Sequence, residues 1–371
     1  QCLIDPTNPS IVFAEYQFMS SGQGPLRSVN GGAGWSAPTG FGASDRYNWD
    51  SPFCMNPLNH NELLAGSQRV YRSTNNGQTY LTISGDLTTN RTDAQVVYST
   101  ITTMEIARAD TNVYVAGTDD AKVWRTTNRG VNWTDISAGL PTRWVTHVTT
   151  DPTNASVVYV TLSGFSVDES IAHVYRSIDG GAHWASIAGN LPDIPANDLI
   201  VDPVNNSRLF LATDIGVYAT DDLGTHWYPL GTGLPLQTVF DLFLHDGTRT
   251  LIAATHGRGQ WTIDLSGLAV AVRGPVGPSR LALSAPSPNP SRGDMRFVVD
   301  TPAGENLSVG IYDALGRRVR QVFAGALGPG SHAMLWDGRD DAGRVTRAGT
   351  YFVRAAGAPQ APVVRRVVRI D

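Results

Sequence analysis

Three aspartates are candidates for acid–base chemistry because they stand in short loops between predicted strands. Asp119 and Asp120 lie in AGTDDAKVW, and Asp214 lies in LATDIGVY. Hydrolysis of a glycosidic bond needs two carboxyl groups, about 5–5.5 Å apart when the anomeric configuration is retained and about 6.5–9.5 Å apart when it is inverted. Asp119 or Asp120 together with Asp214 is therefore a candidate catalytic pair. The alternative is that each Asp closes an ordinary turn.

A second group combines acids with aromatic rings. Asp45, Trp49 and Asp50 lie close together in the sequence, and aromatic rings beside carboxylates suit the binding of sugar rings. The loop ATHGRGQW holds His256 and Arg258 where the earlier loops carry aspartate. We predict that these five residues bind a ligand, with packing between blades as the alternative for Trp49.

Composition argues against several other kinds of site. The chain has 371 residues with 28 Lys and Arg against 33 Asp and Glu, and its net charge of −5 argues against nucleic-acid binding. The eight histidines show no metal-binding spacing and no cofactor fingerprint occurs, so we expect no metal and no cofactor. No apolar run reaches the ~18–20 residues of a membrane span. Cys2 and Cys54 either form one disulfide or are two small buried side chains.

The elements that must position these loops are repeated. A motif of Ser or Thr, any residue, Asp or Asn, any residue, Gly, two residues and an aromatic residue occurs five times. The copies are SVNGGAGW (28–35), STNNGQTY (73–80), TTNRGVNW (126–133), SIDGGAHW (177–184) and TDDLGTHW (220–227). Their intervals of 43 to 53 residues are typical of four-stranded propeller blades. The third motif residue is predicted to stabilise its own turn, a structural rather than a catalytic role, at Asn30, Asn75, Asn128, Asp179 and Asp222.

Six blade units are visible in the sequence. They begin near residues 1, 52, 104, 147, 198 and 238, and most contain an Asp-Pro or Asn-Pro turn such as DPTN or DPVN. We therefore predict an all-β, multi-bladed propeller over residues 1–266. The sixth unit has three predicted strands and no motif copy. Because a propeller usually closes by pairing its last blade with a strand from the other end of the chain, we expect further sequence before residue 1.

A second domain follows the propeller. Residues 267–283 are predicted to be a Gly/Pro linker, and residues 284–371 show the short alternating strands of a small Ig-like β-sandwich. Its predicted core aromatics are Phe297, Tyr312, Trp336 and Tyr351.

The five motif copies resemble the Asp-box of BNR-repeat propellers, which occur in sialidases, xyloglucanase-type glycoside hydrolases and sortilin-type proteins. Residues 46–90, RYNWDSPF to ISGDLTTN, are similar to a segment of bacterial sortilin-like repeat proteins. The resemblance covers about residues 1–266 and implies a propeller. In xyloglucanase-type enzymes a catalytic Asp lies in a T-D-x-G-G context, which Asp214 approaches. Sialidase chemistry fits poorly, because the arginines before the motif copies share one repeat position and look structural.

The C-terminal domain resembles the Ig-like fold of flagellar hook-capping proteins and the domains that address bacterial proteins to type IX secretion. The matching stretches are PNP from Pro288, IYDALGRRV from Ile311, WDGRDDAGR from Trp336 and AGTYFVR from Ala348. The resemblance implies a bacterial protein that is secreted or displayed at the cell surface, with the secretion machinery as a partner. The tail VVRRVVRID departs from the family pattern by carrying arginines where lysine is usual.

These observations favour an exported propeller that binds a polysaccharide or a surface protein. The alternative is a glycoside hydrolase of xyloglucanase type, and a third hypothesis is a mechanical surface scaffold that binds no sugar.

Overall fold

The computed structural model describes residues 1–91, 96, 98–164, 172–231, 233–268, 281–301, 305–328, 330–357 and 362–370. The chain divides into two compact units, Gln1–Val270 and Ala271–Asp371. Most of the predicted linker, residues 267–283, lies outside the described residues. Cys2 and Cys54 are both free thiols. No described helix is long and apolar enough to span a membrane.

Within the described residues, the first unit contains six antiparallel sheets of consecutive strands, which we call blades 1 to 6. Blades 1 and 2 comprise β1 (Cys2–Ile4), β2 (Val12–Ala14), the helical turn α1 (Gln17–Gly22) and β3 (Leu26–Ser28), then β4 (Phe53–Met55), β5 (Leu63–Gly66), β6 (Val70–Ser73) and β7 (Leu81–Thr82). Blades 3 and 4 comprise β8 (Ile101–Ile106), β9 (Tyr114–Thr118), β10 (Val123–Thr126) and β11 (Thr134–Asp135), then β12 (Val145–Asp151), β13 (Asn154–Leu162), β14 (Val174–Ser177) and β15 (Ala185–Ser186). Blades 5 and 6 comprise β16 (Ala196–Val201), β17 (Leu209–Thr213), β18 (Gly216–Thr220) and β19 (Tyr228–Pro229), then β20 (Val239–His245), β21 (Thr250–Thr255) and β22 (Gln260–Asp264), before a 3₁₀ turn at Ser266–Leu268.

The antiparallel pairing gives each blade two different edges. In blade 2, Phe53 pairs with Ala65 and Gly66 pairs with Val70, so β4 begins where β5 ends and β6 begins. Loops that enter a blade and loops between its second and third strands therefore share one edge, which we call the loop face. The Asp-Pro turns and the five motif copies lie at the opposite edge, which we call the turn face.

The five motif copies form turns of one geometry. In each, the Oδ1 atom of Asn or Asp accepts a hydrogen bond from the backbone N–H four residues later at 2.8–3.0 Å. The Ser or Thr hydroxyl two residues earlier donates to the same oxygen at 2.8–2.9 Å. The structure thus places Asn30, Asn75, Asn128, Asp179 and Asp222 in turns that satisfy their own backbone.

The motif tryptophans also join neighbouring blades. The indole N–H of Trp133 donates to Ile83 O at 3.0 Å, that of Trp184 to Ile136 O at 2.8 Å, and that of Trp227 to Ile187 O at 2.8 Å. The motif glycine is fixed by the same contact: Gly181 has φ +94°, and a Cβ there would lie 2.5 Å from Ile136 Cδ1. Only glycine combines this backbone conformation with this approach to the preceding blade.

The Asp-Pro turns make a second set of cross-blade bonds on the turn face. Asp5 Oδ1 lies 3.1 Å from His60 Nδ1, and Asp151 Oδ1 accepts a hydrogen bond from Asn206 Nδ2 at 2.7 Å. The Arg249 guanidinium donates to Asp202 Oδ2 at 2.7 Å. In each pair the aspartate belongs to one blade and its partner to the next.

The second unit packs two antiparallel sheets around one core. Its first sheet contains β23 (Ala282–Leu283), β24 (Met295–Thr301) and β27 (Gly330–Trp336), and its second has the strand order β26 (Arg318–Leu327), β25 (Glu305–Asp313), β28 (Gly349–Gly357), β29 (Val363–Arg369). Phe297, Trp336 and Tyr351 are buried in the core, as predicted. The prediction was wrong for Tyr312: its neighbour Ile311 is fully buried, so strand alternation turns Tyr312 to the outer face.

Candidate functional site

Three aromatic side chains meet on the loop face of blades 1 to 3. The Phe18 ring lies edge-on to Trp49, with centroids 5.4 Å apart, and edge-on to Tyr98 at 5.8 Å. Trp49 is 53% exposed and Phe18 is 37% exposed. This aromatic cluster offers ring surface to a ligand while its members support one another.

Phe18 is positioned by a strained backbone. Phe18, Met19 and Ser20 in α1 have φ of 59°, 51° and 54°, a left-handed conformation that costs non-glycine residues roughly 1–2 kcal/mol each. Complete burial of the Met19 side chain and a 3.1 Å hydrogen bond from Phe18 N to Trp49 O hold the turn in place. Strain of this kind concentrates at functional sites.

The loops carrying Trp49 and Tyr98 are held by buried polar groups. Asp119 accepts hydrogen bonds from the backbone N–H groups of Tyr98, Ser99 and Thr100 at 3.1, 2.8 and 2.7 Å. Asn48 Nδ2 donates to Thr100 Oγ1 at 2.9 Å and so ties the two loops together. Asp119 is 1% exposed, and every contact described for it positions this loop.

Two carboxyl groups lie close in sequence to members of the aromatic cluster, since Glu15 precedes Phe18 by three residues and Asp50 directly follows Trp49. The Glu15 side chain is 1% exposed and that of Asp50 is 73% exposed. Burial, followed by the neighbouring Asp50, raises the pKa of Glu15 to about 9. Glu15 is therefore protonated near neutral pH.

A row of polar residues crosses the first strands of blades 3 to 6. Each of these strands has a β-bulge after its first residue, and the residues that follow the bulges are Thr103, His147, Asp198 and Asp241. Asp198 Oδ1 lies 3.0 Å from His147 Nδ1, while its Oδ2 accepts a hydrogen bond from Leu242 N at 2.7 Å. Bulges re-aim side chains in this way.

The charges in this polar row depend on one another. Burial is the largest single effect on His147 and would lower its pKa, but Asp198, Glu105 and Asp241 together outweigh burial and raise that pKa. Burial is also the largest single effect on Asp198 and would raise its pKa, but His147 together with the backbone N–H groups of Leu199 and Leu242 outweighs burial and lowers that pKa. Desolvation by the surrounding side chains and then Asp198 raise the pKa of Asp241 to about 6, although Asp241 keeps solvent exposure, and the charge of Asp50 contributes, so Asp241 and Asp50 are within electrostatic range.

The pH dependence of stability should therefore report on Asp241. An acid whose pKa rises from 3.8 to about 6 on folding binds its proton more tightly in the folded state, so the wild type should lose stability as the pH rises from about 4 to about 6. Asp241→Asn removes this loss. We therefore expect the melting temperature of the variant, relative to that of the wild type, to increase as the pH rises from about 4 to about 6. The exposed Asp246→Asn should show no such change, and a flat difference for Asp241→Asn would contradict the assignment.

The structure brings only some of the predicted site residues together. Trp49 and Asp50 lie in the site, and His256 lies edge-on to Phe240 at 5.5 Å, one residue before Asp241. Asp45 is instead held in an internal network by Gln68 Nε2 at 2.9 Å and by Tyr71. Arg258 is exposed.

The predicted catalytic aspartates are separated along the blades. Asp119 and Asp120 follow β9 in blade 3, and Asp214 follows β17 in blade 5. Asp120 accepts a hydrogen bond from Thr89 Oγ1 at 2.6 Å, and Asp214 accepts one from Asn197 Nδ2 at 3.0 Å. Their contacts are those of residues that fix loops, and their catalytic role stays a prediction.

Sequence reasoning missed most of the site. The missed residues are Glu15, Phe18, Tyr98, His147, Asp198 and Asp241. Aligning the blades on the first residue of each inner strand would have revealed the polar row, since Thr103, His147, Asp198 and Asp241 stand two positions later. No comparable signal marks Phe18. Among the described residues, no group of three or more His, Cys, Asp or Glu is arranged to hold a metal ion.

Comparison with known proteins defines the class. Residues 287–360 match the FlgD Ig-like domain, and no curated protein matches the chain. Similar solved structures include the GH74 xyloglucanase from Xanthomonas campestris (14% identity, TM-score 0.50, covering 98% of this chain and 65% of that one). A second is the GH74 enzyme of Niastella koreensis (14% identity, TM-score 0.54, covering 98% and 64%). A third is the extracellular domain of a putative hybrid two-component system from B. thetaiotaomicron (9% identity, TM-score 0.51, covering 99% and 49%).

At these identities the likeness shows the fold. The chain is an all-β protein with a β-propeller followed by an Ig-like domain, and the predicted fold class is confirmed. It spans between about half and two thirds of the length of these structures, with shares of 65%, 64% and 49%.

Proposed function

We propose that the protein is exported and that its propeller binds a polysaccharide on its loop face. The carrying observation is the aromatic cluster of Phe18, Trp49 and Tyr98, in which the Phe18 and Trp49 rings are exposed and Trp49 is directly followed by the exposed Asp50. Sugar rings present C–H faces that pack on aromatic rings, and their hydroxyls donate hydrogen bonds to carboxylates. A surface protein is the other class of ligand that the sequence favoured.

Trp49 tests this proposal. Because exposed aromatic anchors dominate binding energy, we expect Trp49→Ala to weaken binding of a polysaccharide about tenfold or more. Binding of xyloglucan, a mixed-linkage β-glucan and dextran would be measured by calorimetry. The matched control is Trp35→Ala on the turn face, since Trp35 is 44% exposed and lies in a motif copy. Equal weakening in both variants, or no binding of these polysaccharides by the wild type, would count against the proposal.

Export through the second unit is part of the same proposal. The match of residues 287–360 to the FlgD Ig-like domain supports it, together with the resemblance to secretion-sorting domains. In a bacterium with type IX secretion, deletion of residues 284–371 should retain the protein inside the cell. Unchanged release into the medium would remove the sorting role.

Glycoside hydrolysis is the second candidate function. Asp241, with a pKa raised to about 6, supplies an acid within electrostatic range of the exposed carboxylate of Asp50. If the site hydrolyses its ligand, Asp241→Asn should abolish release of reducing ends, while binding persists. Asp214→Asn tests the catalytic role that the sequence suggested for Asp214. If only that variant lost the release of reducing ends, Asp214 and not Asp241 would be the catalytic acid.

A further inference from the structure

The second unit carries a face of arginine and aromatic residues that the propeller site does not involve. Residues 284–371 contain twelve arginines and no lysine against eight Asp and Glu, whereas the whole chain has a net charge of −5. The positive charge is thus concentrated in the smaller unit. Such an asymmetry marks a surface for an anionic partner.

The strand register aligns four of these residues in one row. Arg318 on β26 is opposite Tyr312 on β25, Tyr312 is opposite Phe352 on β28, and Phe352 is opposite Arg366 on β29. Strands lie about 4.8 Å apart, so the row spans about 14 Å between the two arginine Cα atoms. We call Arg318, Tyr312, Phe352, Arg366 and the adjoining Arg354 the arginine–aromatic row.

The row faces away from the sandwich core. The residues next to the row in sequence are at most 1% exposed, namely Ile311, Val353 and Val367. Because side chains alternate along a strand, the row residues lie on the opposite side of the sheet. Arg318, Arg354 and Arg366 are exposed, while Tyr312 and Phe352 are half-buried.

The Tyr312 ring forms the floor of this surface. A Cβ on Gly310 would lie 3.1 Å from Tyr312 Cε2, so the ring extends across the glycine and rests against the sheet. The Arg354 guanidinium lies 5.9 Å from the centre of the same ring. This contact orients a guanidinium above a flat aromatic surface.

Two of the three arginines of the row, Arg354 and Arg366, are available to a ligand. Arg318 Nε lies 3.6 Å from Asp341 Oδ2, and Arg318 Nη1 donates a hydrogen bond to Gln321 Oε1 at 2.8 Å. Within the described part of the chain, Arg354 and Arg366 form no salt bridge. Their side chains therefore offer guanidinium groups for bidentate bonds to acidic groups.

We propose that the arginine–aromatic row binds an acidic polysaccharide, one that bears carboxylate or phosphate groups along a chain of sugar rings. Guanidinium groups recognise the acidic groups, and the flat aromatic rings pack against the sugars. Insertion into a lipid surface would need protruding apolar side chains, whereas these rings are half-buried. Single-stranded nucleic acid is a different class of anionic ligand, which the oligonucleotide arm of the test addresses.

The test uses the full chain and polygalacturonate as the probe. We expect the double variant Arg354→Gln/Arg366→Gln to weaken binding about tenfold or more, with an unchanged melting temperature, because two charge-assisted contacts are lost. The matched control is Arg292→Gln/Arg347→Gln, which removes the same charge from exposed loop residues outside the row and should leave binding within about twofold of the wild type. Neutral dextran should not bind at this surface.

Several outcomes would overturn the proposal. Equal weakening in the two double variants would mean that net charge, and not the row, attracts the probe. Absence of polygalacturonate binding by the wild type would remove the site, and tighter binding to a single-stranded oligonucleotide or to phosphatidylglycerol vesicles would make the ligand class wrong. Arg354→Gln/Arg366→Gln should leave binding of neutral xyloglucan at the propeller unchanged, so failure of the propeller proposal is distinguishable from failure of this one.

Discussion

Replacing Asp202 with Ala is expected to lower the free energy of unfolding by about 3 kcal/mol, because it leaves the partly buried Arg249 guanidinium without its carboxylate partner, whereas Arg208 keeps Asp221. Asp202 is fully buried, and its Oδ2 atom receives Arg249 Nη2 at 2.7 Å and Arg208 Nη1 at 3.4 Å. Its Oδ1 atom accepts a hydrogen bond from Val204 N at 3.0 Å and closes the turn. One carboxylate thus fixes a turn of blade 5 and ties it to blade 6. Chemical denaturation would measure the loss.

Two further variants separate the contributions of Asp202. Asp202→Asn keeps an acceptor for the turn but removes the charge, so it should be less destabilising than Asp202→Ala. Adding Arg249→Gln to Asp202→Asn should recover part of the loss, since one arginine charge is no longer left without its partner. If the double variant lost more stability than the two single variants lose when their losses are added, the charge-pair explanation would be wrong. The exposed Asp246→Ala serves as a control.

Replacing Asp119 with Ala is expected to cost about 3 kcal/mol of stability and to weaken polysaccharide binding at the same time, because buried backbone donors are left unsatisfied. The three N–H groups that donate hydrogen bonds to Asp119 belong to residues 98–100, the segment that presents Tyr98 to Phe18. Loss of this carboxylate should therefore release one member of the aromatic cluster. Denaturation and calorimetry on the same preparations would give both effects.

The Asp119 variant also decides between two roles. A purely catalytic Asp119 predicts normal stability and normal binding with lost hydrolysis, whereas a residue that positions Tyr98 predicts weaker binding whether or not any bond is cleaved. Asp214→Ala is the informative comparison, since Asp214 is half-buried and its side chain accepts a hydrogen bond from Asn197. Equal, small losses of stability in both variants would refute the structural role of Asp119.

The blades could be predicted because their signals are local. Each motif copy builds a turn from residues no more than four positions apart, so spacing and residue type together determine its geometry. The core of the sandwich followed from strand alternation in the same way, except at Tyr312. There the choice between the two faces depends on which neighbour enters the core, and Ile311 does so.

The cross-blade bonds and the candidate site were harder to predict because both are assembled from distant segments. Asp202 and Arg249 are 47 residues apart, and DPVN indicates only the turn. His147, Asp198 and Asp241 differ in chemistry and become equivalent only when the bulge of each strand is counted. The left-handed turn at Phe18–Ser20 contains no glycine that would have signalled it, since burial of Met19 and the bond to Trp49 O stabilise it through tertiary contacts.

The cross-blade bonds of the turn face have an evolutionary consequence. Trp133, Trp184 and Trp227 each reach back by one blade, and Asp151 and Asp202 each reach forward by one. A gene segment that encodes one blade therefore carries half of each junction, and tandem duplication of that segment supplies the other half. Arrays with nearest-neighbour coupling gain or lose whole repeats without redesign of the rest. Lineages of such proteins can change their number of blades while the loop-face residues diversify independently.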